Sequence, residues 1–155
     1  MREMRRKDRQ RDQEFALRLF QACEYAVLAT VNEDGSPYCI PISPVLTGES
    51  TLYFHCALEG QKMENMQREA RVCLSCIGAT QVEPEHFTTK YQSAVAYGRA
   101  KLVEDPQEKV EALRALCLKY TPSNMENFDQ AVKNSISRTG IYRIDLETVT
   151  GKEKK

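Results

Sequence analysis

Leu52-Tyr-Phe-His-Cys-Ala-Leu-Glu-Gly-Gln-Lys-Met-Glu-Asn-Met66 reads as a buried strand, a short loop and a helix whose first turn carries Gly60, Gln61 and Lys62. The start of a helix leaves backbone N–H groups unpaired at the positive end of its dipole, an arrangement that favours an anion, and Lys62 adds a full charge. Gln61 and Lys62 could be plain solvent-facing residues. A cation is nevertheless mildly unfavourable at that end of a helix, and this local misfit points to a phosphate. His55 closes the apolar strand just before the turn. It reads either as a satisfied structural histidine or as one wall of a pocket beside the anion.

Upstream, Tyr25-Ala-Val-Leu-Ala-Thr-Val31 and Pro37-Tyr-Cys-Ile-Pro-Ile-Ser43 flank Asn32-Glu-Asp-Gly35. Asp-Gly between two apolar runs is a hairpin signal, because glycine accepts the positive φ such turns demand. Pro37, Pro41 and Pro44 cannot donate to a ladder, so the returning strand should have interrupted pairing and a stretch of backbone open to a ligand. Gly48-Glu-Ser50 turns the chain into Thr51–His55. Downstream, a helix over about 61–69 leads to a short strand at Arg71–Ile77. A polar loop with Pro84, Glu85 and His86 precedes the longest strand, Ser93–Val103, in which Gly98 suggests a bulge. A last half-buried strand alternates over 139–147.

Helices fill the intervals. Phe15, Ala16, Leu19, Phe20 and Cys23 share one helical face. Asp105-Pro-Gln-Glu108 supplies a cap, a first-position proline and a glutamate three after the cap. The helix it starts shows Val110, Leu113, Leu116, Cys117 and Tyr120 on one face and ends at Pro122. Ser123–Glu126 opens a short helix through Phe128 and Val132. The implied class is mainly β with flanking helices, a small antiparallel barrel of five or six strands. Residues 1–11 form a basic, solvated arm (Arg2, Arg5, Arg6, Lys7, Arg9, Arg11), 12–149 the domain, and 150–155 a flexible tail.

Composition narrows the function. Lys plus Arg equal Asp plus Glu at 22 each, so the overall charge calls for neither nucleic acid nor a membrane surface. The arm has no interleaved aromatic residues with which to stack bases. No apolar run reaches the roughly 18 residues of a membrane span and no secretory segment is visible, which predicts a cytoplasmic protein. The six cysteines, at 23, 39, 56, 73, 76 and 117, sit mostly in apolar runs and read as free thiols. Cys73 and Cys76 have CxxC spacing, but residues three apart on a strand face opposite ways, which argues against a metal site or a dithiol between them. His86 has no identifiable carboxylate partner. Walker, GxGxxG, GxSxG and HExxH patterns do not occur.

The stretch 25–77, with Ser93-x-x-x-x-Gly98-x-Ala100 and the ending Ile141-Tyr-Arg-Ile-Asp-Leu…Thr150-Gly-Lys152, resembles the pyridoxamine-phosphate-oxidase-like FMN-binding split barrels. Within them it is most similar to the nitroimidazole-resistance (Nim-type) flavoproteins. The match covers nearly the whole chain, and residues 52–65 are its most specific piece. The resemblance implies a six-stranded antiparallel split β-barrel, a homodimer with FMN in the cleft between subunits, and a small-molecule electron acceptor of the nitroaromatic kind. It implies that the phosphate meets the basic pair opening the helix after the third strand, here Gln61 and Lys62. The first of these is commonly arginine in the family, which leaves Lys62 as the main phosphate partner. Backbone of Ile40, Pro41, Ile42, Ser43 and Pro44 would meet the flavin's pyrimidine edge. His55 and Cys56 would lie beside the ring or ribityl chain, and Ser93 stands where the family often contacts the cofactor. A histidine equivalent to His55 lies near the flavin in Nim-type proteins, which makes His55 the candidate for proton donation. True pyridoxamine-phosphate oxidases close on a basic substrate-binding segment, whereas this chain closes on Thr150-Gly-Lys-Glu-Lys-Lys155, so oxidation of that vitamer is not expected. A flavin- or haem-binding module without turnover and a deazaflavin protein are the rival expectations.

Overall fold

The computed structural model describes residues 3–155, so Arg2 of the predicted arm lies outside the described residues. Asp34 and Gly35 make the predicted turn. Gly35 has φ +83°, and Asp34 Oδ1 accepts from the Ser36 amide at 2.9 Å. The flanking strands pair in register from Ala26 against Ile42 to Val31 against Pro37. Along the chain the elements are β1 (Gln10–Arg11), α1 (Gln13–Ala22), β2 (Ala26–Val31), β3 (Pro37–Ile42), β4 (Val45–Thr47), β5 (Thr51–Cys56), α2 (Gln61–Arg68), β6 (Arg71–Glu83), β7 (Thr88–Leu102), α3 (Pro106–Tyr120), α4 (Phe128–Ser135) and β8 (Gly140–Lys154).

All the strands join one antiparallel sheet of eight, ordered β3-β2-β6-β7-β8-β5-β4, with β1 added on β8. The count exceeds the expected five or six strands, and the hydrogen-bonded path is open between β3 and β4. The additional strands, β1 and β4, span two and three residues, too short for an alternation to register. The pairing of β3 with β2 is continuous. Its prolines are tolerated because β3 is an edge strand, so the exposed backbone is its outer side.

Strands β6, β7 and β8 run well past their expected ends. The hairpin of β6 and β7 continues through Thr80 against Tyr91 to Glu83 against Thr88. Residues 150–154, expected as a flexible tail, pair with Tyr91–Val95 of β7. On their other side Gln10 and Arg11 of the expected arm pair with Lys152 and Gly151. Arm and tail therefore satisfy each other's backbone, which is why polar sequence can hold strand here. Gly98 stands at a register shift of β7 on β8, as predicted.

Period-2 alternation splits the core in two. Leu28, Leu52, Phe54, Leu74, Tyr142 and Ile144 face inward with Phe20 of α1, each at most 1% exposed. On the opposite face of β5 and β8, Ile141 packs with Val103, Leu113, Leu116 and Phe128. Tyr53 lies on that second side, where its hydroxyl donates to Glu108 Oε1 of α3 at 2.8 Å. His55, two residues on, therefore projects toward α3 as well.

Asp105 caps α3 as predicted, accepting from the Glu108 amide at 3.0 Å. Asp105→Ala should cost about 1 kcal/mol. Thermal denaturation followed by circular dichroism should show a fall in Tm of roughly 2–4 °C. Among the described residues no helix is long and apolar enough to cross a membrane.

Candidate functional site

The loop from β5 to α2 turns on Gly60, whose φ of +130° is costly for any side chain, even though a Cβ there would meet nothing within 4 Å. Glycine is needed here for the backbone, not for space. Its carbonyl takes the Met63 and Glu64 amides at 2.9 and 3.2 Å. No side chain caps the helix, so the Gln61 and Lys62 amides meet the space beyond its N-terminus. Lys62 is half-buried and faces the Cys56 thiol. Burial pushes that thiol up while the Lys62 ammonium pulls it back.

The side chains of Gln61 and Lys62 have different surroundings. The Gln61 side-chain amide donates to Asn32 Oδ1 at 2.9 Å, tying α2 to the β2–β3 turn. It lines a cavity of about 570 Å³ that also holds Glu33, Asp34 and Glu64 against the single cation Arg68. This carboxylate-rich side suits a phosphate poorly, whereas Lys62 and the first amides of α2 are groups an anion could meet. Asn65, 3% exposed, does not stand out as a site residue in the sequence. Its amide donates to Thr30 Oγ1 at 3.0 Å and Asn32 Oδ1 at 2.9 Å, which locks α2 in place. The only sequence signal is a polar residue between Met63 and Met66 on the buried helical face.

His55 and Ser43, both exposed, come together on one wall of a cavity of about 520 Å³. Leu113, Leu116 and Tyr120 of α3 make the opposite wall, with Thr139 beside the mouth. The meeting depends on distant residues. Lys119 Nζ and the Tyr120 hydroxyl donate to the Pro44 carbonyl at 2.7 and 2.8 Å, clamping the turn that carries Ser43 against the end of α3. Ile40 is half-buried, Pro41 exposed, and Ile42 and Pro44 buried. The outer edge of β3 has no strand beside it, so its backbone groups are open along this stretch.

Cys56 packs where only glycine fits, since a Cβ on Gly140 would lie 3.2 Å from Cys56 Sγ and 2.9 Å from the Ala57 carbonyl. Next to it, Tyr142 stacks on Phe54 with ring centroids 5.8 Å apart. The Tyr142 hydroxyl is buried without a hydrogen-bond partner. Ser93 is not part of this assembly. It pairs with Ile77 and Lys152, whereas His55 pairs with Ile141 at the other end of β8, on the order of 30 Å away along the strand. His86 lies exposed near the tip of the β6–β7 hairpin, remote in sequence and register from His55.

The chain is similar in fold to solved structures of several proteins. A 5-nitroimidazole antibiotic resistance candidate from Bacteroides thetaiotaomicron is 24% identical, with a TM-score of 0.77 over 92% of this chain and 84% of that one. An FAD-binding protein from Mesorhizobium loti is 21% identical, with a TM-score of 0.71 over 95% of this chain and 98% of that one. An FAD and heme binding protein from Mycobacterium smegmatis is 18% identical, with a TM-score of 0.82 over 95% of this chain and 74% of that one. No curated protein matches the chain. The family model described as pyridoxamine 5'-phosphate oxidase matches residues 12–153, nearly all of the eight-stranded sheet and every helix. The chain belongs to the pyridoxamine 5'-phosphate oxidase family.

Proposed function

We propose that this protein is a flavin-dependent oxidoreductase that binds FMN and passes electrons from a reduced donor to a small acceptor, with a nitroaromatic as the leading class. The observation that carries the reading is the uncapped start of α2, where Gly60 opens the backbone and the half-buried Lys62 supplies a cation; the open edge of β3 and the cavity holding His55 and Ser43 supply the other groups of the reading. A flavin bound there would supply the electron-accepting ring. Lys62 and the first amides of α2 would hold the phosphate. Backbone groups from Ile40 to Pro44 would meet the polar edge of the ring, and Cys56 would lie beside the ribityl chain. His55 would hold or release the proton that accompanies reduction.

The functional unit in this reading is a homodimer built on the family's split barrel, with β3 and β4 flanking the split. Val31 and Tyr97, exposed by 37% and 40%, lie on the outward face of β2 and β7. A second copy would cover them. Ser93 pairs with Ile77 and shares that face, so association offers it a route to a flavin that its own subunit does not. Oxidation of pyridoxamine phosphate is not part of the proposal, because residues 150–154 are committed to β8. The fold neighbours that bind FAD and heme support a second reading, a binding module in which His55 ligates haem within its apolar-walled cavity.

Anaerobic mixing of the FMN-loaded protein with NADH or NADPH tests the first reading. Bleaching of the flavin and its return on adding a nitroaromatic is the expected result. Failure to bleach with either nucleotide, and with an added reductase, would contradict it. His55→Ala should leave FMN affinity within about twofold and slow turnover by roughly 100-fold, the scale of a lost general acid. Unchanged turnover would remove His55 from the chemistry.

A further inference from the structure

Cys23 and Cys76 line a separate cavity of about 310 Å³, walled mainly by Leu19, Tyr25, Val27 and Ile77. Neither thiol has a part in the flavin reading. Cys23 closes α1 at its C-terminus and is half-buried. Cys76, 2% exposed, points inward from β6, and Cys23 packs against the core cluster that contains it. A cation sits at the same place. The Cys23 thiol donates to the Phe20 carbonyl at 3.2 Å, and Lys119 Nζ donates to that same oxygen at 3.5 Å. Lys119 is held there by its second bond, at 2.7 Å to the Pro44 carbonyl.

From this geometry we propose that Cys23 and Cys76 form a reversible dithiol site, in which Cys23 is the nucleophile toward a hydroperoxide entering the cavity and Cys76 is the resolving thiol. The Cys23 thiolate sulfur bonds one peroxide oxygen as the O–O bond breaks, and the departing oxygen takes up a proton to leave as water or an alcohol. The Cys76 sulfur then attacks Cys23. The S–S bond forms, the S–O bond breaks, and the hydroxide leaves with the Cys76 proton as a second water. The sulfur pair loses two electrons and the peroxide gains them.

The assignment of roles follows from the surroundings. The neighbouring Cys76 thiol and the charge of Lys119 bring the Cys23 thiol down to about 7. The neighbouring Cys23 sulfur and burial push Cys76 up, so it keeps its proton until the resolving step. Thiolates stabilised by a cation and a thiol neighbour are the reactive ones. Cys73, the other half of the CxxC spacing, cannot substitute, because it lies on the opposite face of β6 with Tyr97 and Cys39.

The test is a peroxide titration of the full-length, pre-reduced protein, read by peptide mass mapping without reductant. One equivalent of hydrogen peroxide should produce a Cys23–Cys76 cross-link that dithiothreitol reverses. Iodoacetamide at pH 7 should label Cys23 roughly tenfold faster than an unperturbed thiol, reflecting its larger thiolate fraction. Cys76→Ala and Lys119→Met, two changes in different elements, should each slow that labelling several-fold. Cys23 oxidised with Cys76 still free, or a cross-link elsewhere in the chain, would overturn the proposal. So would Cys23 labelling no faster than the exposed Cys39. None of these outcomes depends on whether flavin binds.

Discussion

Lys62→Ala is expected to weaken FMN binding by roughly 10- to 100-fold, equivalent to losing one charge-assisted hydrogen bond of about 1.5–3 kcal/mol. The effect should reside in the phosphate. Riboflavin, which lacks it, should bind the variant and the unaltered protein with similar affinity, and rising salt should narrow the difference for FMN. Gln61→Ala supplies the contrast. Its amide is already engaged by Asn32 at 2.9 Å, so its removal should loosen the α2 anchor while leaving most of the FMN affinity intact. Fluorescence titration of the flavin measures all of these. Equal FMN affinity in Lys62→Ala and the unaltered protein would move the phosphate away from α2.

Gly98→Val is expected to be the most destabilising of the substitutions discussed. A Cβ at this position would lie 2.4 Å from the Asp145 carbonyl oxygen and 3.1 Å from Ile144 Cγ2. The nearer obstacle is backbone of β8, which cannot rotate aside as a side chain would. Relief requires separating β7 from β8 at the register shift, in the longest pairing of the sheet. A cost of roughly 3 kcal/mol follows from forcing volume into such a contact. Tm should fall by about 10 °C for a domain of this size. Gly48→Asn is the control, since φ there is +60° with nothing within 4 Å and asparagine tolerates that conformation. A Gly98→Val protein as stable as Gly48→Asn would mean that β7 and β8 are not held as described.

Much of the fold is legible locally. Asp34-Gly35 marks the β2–β3 hairpin, Asp105-Pro106 marks the start of α3, and the apolar periodicity of Phe15–Phe20 marks α1. What is not legible rests on pairing between distant segments. Thr88–Gln92 and Thr150–Lys154 are polar and read as loop and tail, yet Thr88–Tyr91 pair with Thr80–Glu83 of β6 and Thr150–Lys154 pair with Tyr91–Val95. The site divides in the same way. Gly60 and Lys62 stand out because a cation at a helix start is a chemical misfit. By contrast, the side-chain partner of Gln61 is 29 residues away. The contact of Ser43 with the His55 cavity depends on Lys119 and Tyr120 gripping a carbonyl 75 and 76 residues upstream. No periodicity or motif encodes such contacts. Ser93 is the clearest case, since it pairs with Ile77 and Lys152, at the far end of β8 from the Ile141 that pairs with His55.

The visible absorption spectrum of the freshly purified protein, with identification of the small molecule released on heating, is the most direct measurement. Two flavin bands with FMN in the supernatant are the expected result, and FAD there would keep the flavin chemistry while changing what lies beyond the phosphate. A Soret band without flavin, or a colourless protein that also fails to bind added FMN, would contradict the proposed redox function.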